Sequence, residues 1–458
     1  MKVIVCGAGQ VGFNIARHLA SLQNDVTVID RSPELIRKIG ESLDVQGLVG
    51  HAADPEMLER ASASDADLLV AVTISDEVNM VACQVASSLF QIPTKIARIR
   101  NQVYLRTNWA DLFARENLPI DVIISPEREV ARALARRLAV PGAFNVVPFM
   151  DGRAQILGVL LDETCPVLDT PLRQLTELFP NLGITIVGIN RRGKLFVPGS
   201  SDSLQAGDSI YLAVETGLTD RALAVFGREE DPAGRIVIVG GGNIGQFLAQ
   251  ELEQLKPLPN IKLVEREPLR AKAIAEKLAH TIVIQGDALE AEIMNEANVA
   301  DAETIVTVAD DDQVNILSAL LAKRLGCDRA ITLMNNPLYG NLVGSIGIDV
   351  ALDPRETTVS SIVRHIRKGR VRDLYSLQDG EAEILEIEVL EGSEVVGKDL
   401  SDIKFGKGVR IGKIIRGDEL VTPSSRERLN PGDTVLLLAI SDHLNRVEAL
   451  FSARADVF

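Results

Sequence analysis

The ten residues VIVCGAGQVG at positions 3–12 return as IVIVGGGNIG at positions 236–245, and this repetition constrains the fold more than any other feature. Gly7, Gly9 and Gly12 recur as Gly240, Gly242 and Gly245. The likeness then continues in order. "DADLLVAVTISDEVNM" (65–80) lies over "DAETIVTVADDDQVNI" (301–316), which sets Asn79 opposite Asn315, and "PIDVIISPEREV" (119–130) answers "GIDVALDPRETT" (347–358). A different module follows each copy: residues 183–214 match residues 408–439, with Pro198 opposite Pro423 and Gly207-Asp208 opposite Gly432-Asp433. Internal repetition decides architecture before any single motif does, and the order is A-B-A-B. A length of 458 residues also exceeds what one core holds, roughly 250–300 residues. The expected domains are 1–139, 140–227, 228–369 and 370–458. The charged, Pro- and Gly-containing stretch "GREEDPAG" (227–234) serves as the central linker.

Within an A unit the pattern alternates. "KVIVCGAG" reads as a buried strand, "QVGFNIARHLASLQ" as an amphipathic helix and "DVTVID" as a second strand. "SPELIRKIGESL" then reads as a helix with Ser32 as its N-cap and Pro33 in its first turn. Further strands, "VQGLVG", "LLVAVT" and "KIARIR", are separated by helices. Right-handed crossovers turn such βαβ repetition into a doubly wound parallel sheet of the Rossmann type. The B units show short alternating strands, a Gly-Asp turn and a closing helix, which predicts a small α+β domain with a mostly antiparallel sheet. The fold class is α/β, with two Rossmann domains each followed by a small α+β domain.

A single G-x-G-x-x-G is weak evidence. Two of them, each following a strand, opening a helix and succeeded by an acid at the end of the next strand, point to dinucleotide cradles. Gly7 permits the tight turn, Gly9 lets the backbone approach a pyrophosphate, and Gly12 allows the helix to pack close to the strand. The intervening Ala8, Gln10 and Val11, with Gly241, Asn243 and Ile244 in the second copy, supply amides that meet the anion with the helix dipole behind them. Asp30 ends "VTVID" and Glu265 ends "IKLVE", where a carboxylate accepts ribose hydroxyls and repels a 2′-phosphate, favouring NAD over NADP. The bland alternative is a pair of tight turns without a ligand.

Around each cradle further candidates follow. Arg31 and Arg266 come directly after the acids, to lie over an adenine, touch phosphate or stand in solvent. Thr73 and Ile74, with Ala309 and Asp310, occupy the loop after the fourth strand, which crosses the nucleotide in this fold. Ser75-Asp76 and Asp311-Asp312 read first as helix N-caps. Arg98 and Arg100 alternate in "IARIR" and so share a side of the strand, to clamp phosphates or form salt bridges. Their counterparts are Leu333 and Asn335, so the two sites are not equivalent.

Charge and composition narrow the function. A formal charge of -16 disfavours nucleic acid and anionic lipid as partners. No apolar run reaches the roughly 18–20 residues that span a bilayer, and the N-terminus enters a strand without a signal-peptide pattern, so a cytoplasmic location is expected. Cys6, Cys83, Cys165 and Cys327 lack metal or redox spacing and read as small buried hydrophobes. The five histidines share no register between the halves, and no residue set suggests a catalytic or metal centre. His51 and its counterpart Asp287 read as shaping a loop near the ribose. Trp109 reads as a core or interface residue.

With "CGAGQVG", "GHAADPEML", "DADLLVAVTISDEVNMVACQVA", "KIARIR" and the paired B modules together, the chain resembles the tandem regulator-of-potassium-conductance (RCK) family over essentially its full length. The resemblance implies nucleotide-binding A domains and regulatory B domains in a non-enzymatic subunit that binds NAD or NADH and also ATP or ADP. It implies a ring, commonly a homotetramer, held peripherally at the inner face of the cell membrane beneath a TrkH-like subunit that conducts potassium. Carried across residue by residue, Gly7 to Val11, Asp30, Thr73, Ile74 and Arg98 match the family's first site. Gly240 to Ile244, Glu265, Ala309 and Asp310 match the second. Two other classes stay open on sequence alone: an NAD-dependent oxidoreductase whose substrate domains are the B modules, and a scaffold that keeps its glycines without a ligand.

Overall fold

Runs of Val, Ile and Leu too short for helices and bounded by Gly, Asp or Ser become strands wherever both faces are to be covered. In the computed structural model this gives β1 (Lys2–Cys6), β2 (Asp25–Asp30), β3 (Gln46–Val49), β4 (Leu68–Ala71), β5 (Thr94–Arg98) and β6 (Val122–Ile124). They pair in parallel in the order β3-β2-β1-β4-β5-β6. The structure describes the chain apart from residues 22, 115, 180–181, 337–338, 340–345, 367–370, 378–379 and 453–458.

Next come β7 (Asn145–Phe149), β8 (Ala154–Leu160), β9 (Ile184–Arg191), β10 (Lys194–Phe196) and β11 (Ser209–Glu215), an antiparallel sheet in the order β10-β9-β11-β8-β7. The second half repeats both. β12 (Arg235–Val239), β13 (Asn260–Glu265), β14 (Ile282–Gln285), β15 (Thr304–Thr307), β16 (Arg329–Leu333) and β17 (Val350–Leu352) take the order β14-β13-β12-β15-β16-β17. β18 (Val371–Leu377), β19 (Ala382–Glu388), β20 (Val409–Arg416), β21 (Glu419–Val421) and β22 (Thr434–Ile440) repeat the antiparallel order. Even the bulges correspond: β9 and β20 each slip register against their central neighbour, next to Val187 and Gly412.

The compact units do not follow the order of the sequence. Like domains gather with like: one unit holds Met1–Arg132, Val237–Gln254 and Ile261–Ile366, the other Ala133–Ile236, Leu255–Asn260 and Arg367–Phe458. In the Rossmann unit the helices after the last strands cross between modules. Pro354–Ile366, which follows β17, buries Ile362 completely in the core of the first sheet, among Val3, Ile15 and Val70. Burying one such side chain is worth about 1.5–3 kcal/mol. Reciprocally, the helix that follows β6 sets the Arg128 guanidinium 4.9 Å from the centre of the Phe247 ring, and Arg132 lies 3.4 Å from Glu251. All four cysteines are buried. Trp109, expected in a core or interface, is 56% exposed within the chain, on a short irregular helix after β5.

The other unit packs its two antiparallel sheets on one apolar core drawn from both copies, including Phe149, Ile156 and Tyr211 with Ile384, Leu436 and Leu438. Gly412 marks a close approach, since a Cβ there would lie 2.5 Å from that of Ala213. Lys413 is 1% exposed and donates to the Gly183 carbonyl (2.6 Å) and the Thr422 hydroxyl (2.7 Å). Burial pushes its ammonium down to about 8 from 10.5, with Glu215 opposing the shift. Between these values the unfolded chain binds more protons than the folded one, so stability rises with pH across that window. Lys413→Met is therefore expected to be most favourable near pH 7. Its stability relative to the wild type should fall by about 2–3 kcal/mol between pH 7 and pH 10.5, as read by denaturant unfolding at both pH values. A gap independent of pH would refute this account.

Candidate functional site

Both cradles are built by the same steric device. Gly7 takes φ +113 and Gly240 φ +104, a left-handed backbone that turns the chain out of the strand. Their amides donate to Ile29 O (2.8 Å) and Val264 O (2.9 Å), closing each loop onto the second strand of its sheet. Under the loops, Gly12 and Gly245 are buried, and a Cβ on either would lie 1.8 Å or 2.0 Å from the carbonyl oxygen of Gly7 or Gly240. Above them, a Cβ on Gly9 or Gly242 would meet nothing within 4 Å. The backbone there is open to an approaching group.

The acids hold the loops. Asp30 Oδ2 accepts from the Ala8 amide (2.7 Å) and Oδ1 from the Ser32 amide (2.8 Å). Glu265 Oε2 accepts from the Gly241 amide (2.7 Å) and Oε1 from the Glu267 amide (2.8 Å). The longer glutamate explains why glycine replaces Ala8 in the second copy: a Cβ on Gly241 would fall 2.7 Å from Glu265 Oε2 and 2.5 Å from Ile274 Cδ1. Each carboxylate has about four acceptor positions, so one bond per oxygen leaves capacity for hydroxyls.

The first cleft, about 690 Å³, lies within the range of small-molecule sites. It is lined by Gly7, Gly9, Gln10, Val11, Asp30, Arg31, Thr73, Ile74 and Arg98, all anticipated from sequence. Leu35, Gly50, Val78 and Arg355 line it as well and were not. Ile74 is 82% exposed, an apolar side chain left uncovered at the rim. His51 Nδ1 accepts from the Ala53 amide (3.3 Å) and lines the cleft, shaping the loop as expected. Arg98 Nε is buried with no hydrogen-bond partner among the described residues. Burial and the neighbouring Arg100 lower the guanidinium from its ordinary value.

Of the two roles open to Arg100, the structure shows the salt bridge. Arg100 does not line the first cleft. It pairs with Glu127 at 2.9 Å and faces a cavity of about 580 Å³ between the two Rossmann modules. That cavity also reaches Gly241, Gly242, Asn243 and Ile244 of the second cradle, and Arg98 and Arg355 line it in addition to the first cleft.

The second cleft proper is tighter, about 210 Å³, and is lined by Gly240, Gly242, Glu265, Arg266, Ala309 and Asp310. It adds Arg270, which stands in the first turn of its helix where the first copy has Leu35. Leu333 and Asn335, the counterparts of Arg98 and Arg100, line the inter-module cavity without supplying charge.

Two asparagines tie the loops to the sheets. Asn79, fully buried, accepts from the Thr73 amide (2.9 Å), lies 2.7 Å from the Thr73 hydroxyl and donates to Thr73 O (3.2 Å) and Arg98 O (2.9 Å). Asn315 accepts from Ala309 N (2.7 Å) and donates to Ala309 O (2.9 Å) and Leu333 O (3.1 Å). Their repetition in sequence was visible; this role was not.

Comparison with known proteins agrees with the architecture. The TrkA-N domain matches residues 3–126 and 236–354, and the TrkA-C domain matches residues 156–227 and 384–452. The Trk system potassium uptake protein TrkA of Azorhizobium caulinodans is 50% identical over 458 residues, covering 100% of both chains. That of Haemophilus influenzae is 38% identical over 461 residues, covering 99% of each. Among solved structures, the GsuK RCK domain aligns with a TM-score of 0.58 at 18% identity, covering 99% of this chain and 95% of that one. The GsuK channel bound to NAD aligns with a TM-score of 0.59 at 18% identity, over 99% and 79%. No helix among the described residues is long and apolar enough to cross a membrane. With duplicated cradles, paired antiparallel domains and full-length relatives in agreement, the chain belongs to the TrkA family of Trk system potassium uptake proteins, built from tandem TrkA-N and TrkA-C domains.

Proposed function

We propose that the two clefts hold adenine-bearing nucleotides as signals, NAD or NADH in both and ATP or ADP in the first, and that their occupancy sets the activity of a potassium-conducting membrane subunit. The observation that carries this reading is the doubled cradle: two glycine loops, each held by an acid whose carboxylate keeps acceptor capacity toward the cleft. The NAD-bound GsuK channel, a structural neighbour, supports the choice of ligand class.

In this reading the subunits assemble as a ring, a homotetramer, at the inner face of the membrane against a TrkH-like partner. A ligand moves such an assembly only by the difference in its affinity for two arrangements. The exchanged helices, with Ile362 in the first core and Arg128 over Phe247, are the parts through which a change at one cleft would be felt by the other module.

The test is Asp30→Ala combined with Glu265→Ala, read by NADH titration and by potassium uptake in cells. Loss of a charge-assisted bond worth about 1.5–3 kcal/mol predicts affinity weakened roughly 10- to 100-fold at each site, with uptake no longer responding to nucleotide. Unchanged binding and uptake would overturn the proposal, as would NADH consumption by the purified chain.

A further inference from the structure

Arg355 belongs in sequence to the second Rossmann module, yet it lines the cleft of the first. The helix that carries it, Pro354–Ile366, is anchored by Ile362 in the first module's core, so the side chain is delivered from a packed element and not from a loose loop. Its side chain is only 13% exposed and its guanidinium is oriented by a fork with Asp353, at 2.8 Å and 2.5 Å. The remaining nitrogen, Nη1, donates to Gln10 Oε1 at 3.0 Å. Gln10 is the first residue of the helix whose N-terminus closes the glycine cradle. Arg355 thus stands at the positive end of that helix, and Arg98, with its buried and unpartnered Nε, lines the same cleft.

The duplication supplies an internal contrast. In the aligned segments "SPEREV" and "DPRETT", the position of Arg355 is held by Glu127 in the first copy. Glu127 crosses in the opposite direction, to the cavity beside the second cradle, and is engaged by Arg100. One exchanged helix brings a cation to its neighbour's cradle and the other an anion. A dinucleotide satisfies the cradle with one pyrophosphate and then continues into a sugar and a ring. A nucleoside di- or triphosphate places further negative charge beyond the loop, where the guanidinium groups of Arg98 and Arg355 have value.

We infer that Arg355 is a specificity-determining residue of the first cleft, donated by the other module, which favours adenine nucleotides carrying more than one phosphate. This deepens the proposed function and rests on its assignment of the cleft to adenine nucleotides. The experiment is titration of the full chain with ATP, AMP and NADH, in the wild type, Arg355→Gln and Arg355→Lys. Arg355→Gln is expected to weaken ATP at least 10-fold while AMP stays within about 2-fold, and Arg355→Lys to recover part of the ATP affinity. Unchanged ATP affinity in Arg355→Gln, or equal losses for ATP and AMP, would overturn the inference while leaving the cleft assignment standing. Failure of the wild type to bind any of the three ligands would instead remove the assignment on which it rests. Should Arg355→Gln fail to fold, Arg355→Lys decides alone: an ATP affinity reduced more than the AMP affinity supports the inference, and ATP and AMP affinities both unchanged, or reduced equally, oppose it.

Discussion

Gly12→Val is expected to destabilise the Rossmann unit by about 3 kcal/mol or more and to remove nucleotide binding at the first cleft while the second keeps its ligand. A Cβ at residue 12 would lie 1.8 Å from the Gly7 oxygen and 2.9 Å from the Gly7 carbonyl carbon. Both are backbone atoms, so no side-chain rotation relieves the overlap. Gly7 itself is held at φ +113 with its amide bonded to Ile29 O, which leaves the loop no cheap way to retreat. Gly9→Ala is the control, because its Cβ would meet nothing within 4 Å. It should leave stability nearly unchanged and weaken binding only by standing in the path of the pyrophosphate. NADH titration for stoichiometry, with denaturant unfolding, separates the two effects. A Gly12→Val chain that binds two NADH molecules per chain with wild-type stability would contradict this account.

What the sequence revealed follows from how local the physics is. The cradles were legible because their glycines answer steric demands set within a few residues, and because the same pattern appeared twice. Asp30 and Glu265 were legible for the same reason. Their engagement by the Ala8 and Gly241 amides was not, since it depends on the second strand lying beside the first. The pairs Ser75-Asp76 and Asp311-Asp312 show where such reading stops. Ser75 and Asp311 do cap their helices. Asp76, however, reaches the amides of Arg100 and Asn101, and Asp312 those of Asn335 and Asn336, across to the end of the neighbouring strand. Arg100 lay in the right segment but faces the inter-module cavity, because Glu127 from the exchanged helix draws it there. Arg355 was beyond reach: nothing within "DPRETT" says that its helix packs on the other module.

The asparagines make the same distinction between pattern and role, and they carry the second large effect. Asn79→Leu keeps the size of the side chain and removes every polar contact it makes. The Thr73 amide, the Thr73 carbonyl and the Arg98 carbonyl then lose their partners. At about 1–3 kcal/mol for each buried orphan, the expected loss is roughly 3–9 kcal/mol by denaturant unfolding. Since Thr73 and Arg98 both line the first cleft, nucleotide affinity there should fall together with stability, although Asn79 itself does not line that cleft. Asn79→Asp keeps an acceptor for the Thr73 amide, gives up both donors and buries a charge, so it should be no milder. A loss below about 1 kcal/mol in Asn79→Leu would mean that water replaces the missing bonds. The loop after β4 would then be held by the sheet alone.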